Sequence, residues 1–140
     1  MSEPLIYTFE VDGDSFTSAG EASMKVKKNL RMLGLPPDVI RRVAIAMYEG
    51  EINMVIHAGG GNATVKVFED LIEIVLADKG PGIPDIDLAM SEGYSTAPDT
   101  IRNLGFGAGM GLPNMKKNTD TIKIESQLGL GTTITMTVNI

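Results

Sequence analysis

A chain of 140 residues is long enough for one ordinary domain that buries roughly two-thirds of the surface its unfolded form exposes. It has no cysteine, which excludes disulfides and a thiolate zinc site, and eighteen acidic against twelve basic side chains give a net charge of −6, which argues against a dedicated nucleic-acid binder. The opening M-S-E-P-L-I-Y-T-F-E lacks a signal-peptide pattern and no apolar run reaches membrane-spanning length, so the expectation is a soluble, cytoplasmic protein with no membrane partner.

Leu5 to Val11 alternates, with Leu5, Tyr7, Phe9 and Val11 on one face, and predicts an amphipathic strand. Thr17 or Ser18 is placed to cap a helix running to Leu33, whose buried stripe is Ala22, Val26, Leu30 and Leu33. Its Lys25, Lys27, Lys28 and Arg31 read as a solvated face. Gly34 closes that helix, and Pro36-Pro37-Asp38 opens a second one extending to Ala58. Apolar packing in the second helix comes from Val39, Ile40, Val43, Met47 and Met54. Glu49, Asn53 and His57 recur at four-residue spacing and so line one side of it. Gly59-Gly60-Gly61-Asn62 reads as a turn. Ala63 to Phe68 and Leu71 to Ala77 then form a hairpin joined at Glu69-Asp70.

The second hairpin strand ends at Asp78, the first charge after Ile74-Val75-Leu76-Ala77. Gly80 and Gly82 bracket Pro81, with Pro84 beyond, so the chain past the carboxylate is stripped of side chains and held in a fixed path. Such a ledge suits a flat ligand offering a hydrogen-bond donor at its edge, as adenine does. A plain turn would use the same residues. Asp85 can cap a short helix ending near Met90, and Ser91 to Ala108 has the irregular composition of a lid. It ends in the run of Gly105, Gly107, Gly109 and Gly111, followed by a helix from Leu112 to Asn118 and strands at 121–127 and 132–140. Alternate glycines before a helix can aim several backbone N–H groups at a phosphate. The run matches neither the P-loop nor the dinucleotide fingerprint.

Taken together, Glu49-x-x-x-Asn53, D-K-G-P-G-I-P at 78–84, G-F-G-A-G-M-G at 105–111 and G-T-T at 131–133 resemble the ATP-binding domain shared by gyrase B, heat-shock chaperones, histidine kinases and mismatch-repair ATPases. The resemblance covers most of residues 36–140. P-G-I-P-D-I, E-G-Y-S-T and G-A-G-M-G-L-P look most like the bacterial serine/threonine kinases and anti-sigma factors of partner-switching pathways.

The resemblance implies an α/β (α+β) two-layer sandwich, with helices on one face of a mixed, mainly antiparallel sheet, making residues 1–140 one domain. It implies ATP and Mg²⁺ as cofactors. Asp78 would accept the adenine amino group, Gly80 and Gly82 would let the base approach, and Thr132 would be a supporting polar contact. Asn53 would be the magnesium ligand and Glu49 the general base, while Gly105, Gly107, Gly109 and Gly111 would enclose the phosphates. A carboxylate base suits transfer to serine or threonine, whose hydroxyl needs its proton removed. The implied partners are a protein of the sigma-factor-antagonist (STAS) type, a sigma factor, and a second copy of the chain in a homodimer. The rival readings are a nucleotide-gated anti-sigma factor with little catalysis, and a detached histidine-kinase catalytic domain acting in trans. A structural role is expected for His57; Lys79, Arg102 and Lys116 are left without one.

Overall fold

Side-chain alternation decides which face of each strand meets the helices, and here it sorts the sheet into rows. A computed structural model describes residues 3–12, 20–83 and 111–140, without the side chains of Asp12 and His57. Within them, β1 (Leu5–Asp12), β2 (Gly60–Val67), β3 (Leu71–Ala77), β4 (Thr121–Gln127) and β5 (Gly131–Asn139) form one sheet in the order β1-β2-β3-β5-β4. Each of the pairings is antiparallel. Tyr7, Val65, Ile74, Met136 and Ile122 make one row across the inner face, and Phe9, Ala63, Leu76, Ile134 and Ile124 make the next. Val65, Ile74 and Met136 have no exposed surface. Each side chain buried in this way contributes about 1.5–3 kcal/mol.

Helices α1 (Glu21–Met32), α2 (Pro37–Asn53) and α3 (Gly111–Lys117) supply the other side of the core through Val26, Leu30, Val43, Met47 and Met115. The expected two-layer sandwich is therefore present. Gly50 lets α2 lie close on the sheet, because a Cβ there would overlap the Leu76 side chain of β3.

Several boundaries differ from the sequence expectation. The first helix begins at Glu21 behind Gly20, whose φ of 99° sets the entry, rather than at Thr17 or Ser18, which lie outside the described residues. Leu33 is 42% exposed instead of buried, because the helix has ended and Gly34 turns the chain away. Leu5 is 48% exposed, since it opens the edge strand β1. The second helix is α-helical only to Asn53 and finishes as a π turn at Met54–Ala58. Gly60 and Gly61 belong to β2, paired with Asp12 and Val11, so Gly59 at φ 70° makes the turn. The fifth strand starts at Gly131. The expected helix at 85–90 and the lid at 91–108 fall outside the described residues.

Candidate active site

At one end of the sheet the apolar rows give way to a polar one. Ser126 of β4 lies opposite Thr132 of β5, and the backbone N–H of Asp78, just past β3, donates to the Thr132 carbonyl at 2.9 Å. The Asp78 carboxylate is held in return. Its Oδ1 accepts the N–H of Gly80 at 2.9 Å and that of Thr132 at 3.2 Å. Among the described residues no hydrogen bond falls on Oδ2, so the half-buried carboxylate keeps an acceptor for a ligand. Strand alternation explains this placement: Leu76 and Asp78 share a face, and Asp78 falls where the apolar core ends.

The glycines of the ledge are demanded by the protein's own packing. A Cβ on Gly80 would sit 2.6 Å from that of Ala58. Gly82, at φ 83°, lies against the Gln127 carbonyl, 2.6 Å from where a Cβ would be, and the N–H of Gly129 donates to the Pro81 carbonyl at 2.9 Å. Gly131, at φ 134°, leaves no room for a Cβ beside the Asp78 carbonyl oxygen. The ledge is thus clamped between the π turn and the β4–β5 hairpin. This explains its rigidity more directly than the approach of a base does.

The second polar group belongs to α2. Glu49 and Asn53 stand one turn apart, both half-buried, on the side that meets α3. Gly111, the last glycine of the G-x-G-x-G-x-G run, begins α3 directly against Asn53: a Cβ there would lie 3.0 Å from Asn53 Oδ1. Asn114, on the same short helix, donates from Nδ2 to Glu49 Oε1 at 3.4 Å, near the outer limit of a hydrogen bond. The structure therefore brings together Glu49, Asn53 and Gly111 at one end, and Asp78, Gly80, Gly82 and Thr132 at the other. The π turn joins them, since it continues from Asn53 and presses Ala58 on Gly80. His57 lies in that turn and its side chain is outside the described ones; Glu49 and Asn53 keep the four-residue spacing of the predicted stripe on α2. Gly105, Gly107 and Gly109 lie outside the described residues.

Two further residues matter that the sequence reading passed over. Glu51 is 2% exposed, and its carboxyl accepts the N–H groups of Gly20 at 2.9 Å, Ala22 at 3.3 Å and Ser23 at 2.6 Å, capping α1 from a neighbouring helix. A charged residue inside the apolar stripe of Met47 and Met54 was the available signal. Ser126 accepts the N–H of Ile83 at 2.7 Å and lies 3.0 Å from the Thr132 hydroxyl. No motif marks it.

Among the described residues no three Asp, Glu, His or Cys side chains converge on a metal position. Asn53 supplies the kind of oxygen ligand that magnesium accepts when phosphates and water complete its shell, so the residues present fit a metal that arrives with the nucleotide.

Residues 38–140 match the family described as histidine kinase-, DNA gyrase B- and HSP90-like ATPases, and the chain belongs to that family. It is 34% identical over 97 residues to the serine/threonine-protein kinase RsbT of Bacillus subtilis, a match covering 66% of this chain and 67% of that one. It is 38% identical over 99 residues to the anti-sigma F factor of Clostridium acetobutylicum, covering 67% of this chain and 66% of that protein. The anti-sigma F factor of Clostridium beijerinckii is 31% identical over 125 residues, 84% of each chain. The chain thus spans about two-thirds or more of these relatives. Among solved structures, the RsbU and RsbW domains of a Mycobacterium tuberculosis protein superpose with a TM-score of 0.61 at 15% identity, covering 96% of this chain and 32% of that one, a likeness of fold alone. The expected enzyme class, an ATP-dependent protein serine/threonine kinase, agrees with these findings. No helix among the described residues is long and apolar enough to cross a membrane.

Proposed function

We propose that this protein transfers the γ-phosphoryl group of ATP to a serine or threonine hydroxyl of a small cytoplasmic regulatory protein, either a sigma-factor antagonist of the STAS type or a scaffold of similar fold. Asp78 accepts the adenine amino group, with Thr132 beside it, and Gly80 and Gly82 keep the ledge flat. Asn53 holds Mg²⁺, which when bound offsets the charge of the phosphates. Gly111 and, on sequence grounds, Gly105, Gly107 and Gly109 enclose them. Glu49 takes the proton of the attacking hydroxyl as its oxygen bonds to the γ-phosphorus and the bridging bond to ADP breaks. The chain acts as one domain and works as a homodimer.

One observation carries this reading. Asn53 abuts Gly111 and Glu49 meets Asn114 of the same short helix, while the π turn that follows Asn53 abuts Gly80 beside Asp78, so the residues assigned to the phosphates and those assigned to the base border one continuous stretch of chain. The test is incubation with Mg-ATP and candidate STAS-fold proteins, with phosphate located by mass spectrometry. Acid-stable phosphoserine or phosphothreonine supports the proposal, and acid-labile phosphohistidine would replace it with a histidine kinase acting in trans. Asp78→Asn should abolish nucleotide binding; affinity equal to wild type removes the adenine assignment.

A second reading is favoured by the anti-sigma F factors among the relatives, at 31% to 38% identity. In it the protein sequesters a sigma factor stoichiometrically and the nucleotide sets its conformation. A stable complex with a sigma factor, formed only with ATP and without phosphate transfer, would favour that reading over the kinase.

A further inference from the structure

A place on α2 does not by itself settle where the Glu49 carboxylate stands. A glutamate side chain turns about several bonds before its carboxylate, so the helix fixes its direction and leaves its reach open. Among the described residues one side chain meets it: Asn114 of α3 donates from Nδ2 to Oε1 at 3.4 Å. The amide has a single sensible orientation, because an ionised carboxylate only accepts and Asn114 Oδ1 in that place would leave no proton between the two. Asn114 is half-buried and its backbone is itself pinned. Pro113 and Met115 on either side of it are buried, and its carbonyl accepts the backbone N–H of Asn118 at 3.2 Å and Asn118 Nδ2 at 2.9 Å. Gly111, three residues earlier on the same helix, abuts Asn53. Successive turns of α2 and α3 therefore meet in register, Asn53 against Gly111 and Glu49 against Asn114.

We propose that Asn114 is a positioning residue for the proton-accepting carboxylate. Its amide holds Oε1 of Glu49 and leaves Oε2, on which no hydrogen bond falls among the described residues, to take the proton of the attacking hydroxyl. One short helix then sets the spacing between the base and the metal ligand, since it meets both. Asn114 touches neither the nucleotide nor the hydroxyl and acts only through Glu49. Without its donor the carboxylate samples other rotamers and spends less time in reach of the hydroxyl, while ATP, held elsewhere, binds as before. The proposal rests on the assignment of Glu49 as the base, so the two must fail separately.

The test has two measurements on the full chain. The first needs no turnover: the three-bond Cα–Cδ coupling of Glu49, assigned by comparison with Glu49→Gln, reports its χ2 rotamer by NMR. Wild type should show one rotamer, Asn114→Ala an average over several, and Asn114→Gln, which keeps an amide on a longer arm, one again. The same coupling in wild type and Asn114→Ala overturns the proposal. The second is phosphotransfer from Mg-ATP to a recombinant STAS-fold acceptor. Asn114→Ala should lower kcat roughly 10- to 100-fold and leave the Kd for ATP within about twofold. In a Glu49→Gln background it should lower transfer no further, because the group it positions is gone. An equal loss in both backgrounds would mean that Asn114 acts through the packing of α3, and overturns the proposal. Glu49→Gln transferring as fast as wild type removes the base itself. If wild type transfers nothing, the kinase reading falls and the coupling alone decides whether Asn114 positions Glu49. Should Asn114→Ala not fold, Asn114→Asp, of the same shape without the amide donor, is compared with Asn114→Gln by the same measurements.

Discussion

Glu49 and Glu51 stand two residues apart on α2 and face opposite sides of it, and the structure treats them in opposite ways. Glu51 is sealed against the start of α1, and its two oxygens satisfy three backbone N–H groups. Glu49 is half-buried and meets only the side-chain amide of Asn114, at 3.4 Å, among the described residues. A carboxyl group whose oxygens are consumed by backbone donors is a structural fastener. One left with free lone pairs beside a nucleotide-type site can take a proton. Gly50, between them, faces the sheet, so three consecutive residues present a site, a packing surface and a cap to three different neighbours.

Glu49→Gln gives the largest expected effect. Loss of the proposed base should lower phosphotransfer about 10²- to 10⁴-fold, with ATP affinity and melting temperature close to wild type. Transfer that survives unchanged would place the base elsewhere. Glu51→Ala should do the reverse. It leaves three donors at the start of α1 without their acceptor and opens a cavity, costing about 3 kcal/mol of stability by denaturant unfolding. If Glu51→Ala were as stable as wild type and selectively inactive, the two glutamates would have exchanged roles.

The contrast was half legible in the sequence. Glu49 and Asn53 could be paired because four-residue spacing survives wherever the backbone is α-helical. Asp78 could be found because it is the first charge at the end of an apolar strand. β3 and β4 have the predicted ends, since alternation is a local signal in both and the turn at Glu69-Asp70 sets the start of β3. Glu51, the π turn and Ser126 were not read. Each depends on what lies across a tertiary contact: the start of α1 thirty residues earlier, the Gly80 ledge pressing on Ala58, and the Ile83 N–H. The same reason displaced the cap of α1, which a local reading assigned to Thr17 or Ser18 and which the fold assigns to α2.

Gly50→Ala tests whether the two glutamates are positioned through a shared contact. The new Cβ would overlap Leu76, which is 2% exposed and has no route into solvent, so α2 must lift from β3. Overpacking of this kind costs about 1–3 kcal/mol. The lift should be felt on both faces, seen as faster hydrogen exchange at residues 20–23 together with weaker phosphotransfer. Exchange or activity changing alone would show that the two faces are positioned independently.

The smallest effect is expected far from both glutamates, where α2 is tied to the turn before β4. Arg42 donates to the Asn118 carbonyl and to Asp120 Oδ2, each at 3.1 Å, and the Asn139 N–H donates to the same Oδ2 at 2.6 Å. These contacts hold the Asp120 carboxyl below its ordinary pKa. The Asn139 N–H is the main cause; burial, the next-largest effect, opposes it, and Arg42 adds a hydrogen bond and its charge in the lowering direction. A lowered folded-state pKa stabilises the fold fully above the unfolded value, and the contribution disappears as pH falls through the folded one. Asp120→Asn should therefore cost under about 1 kcal/mol at neutral pH, less at high salt because the pair is partly exposed. The difference from wild type should fade below about pH 4. Unfolding midpoints that differ equally at pH 7 and pH 3 would mean that this tie is steric and owes nothing to charge.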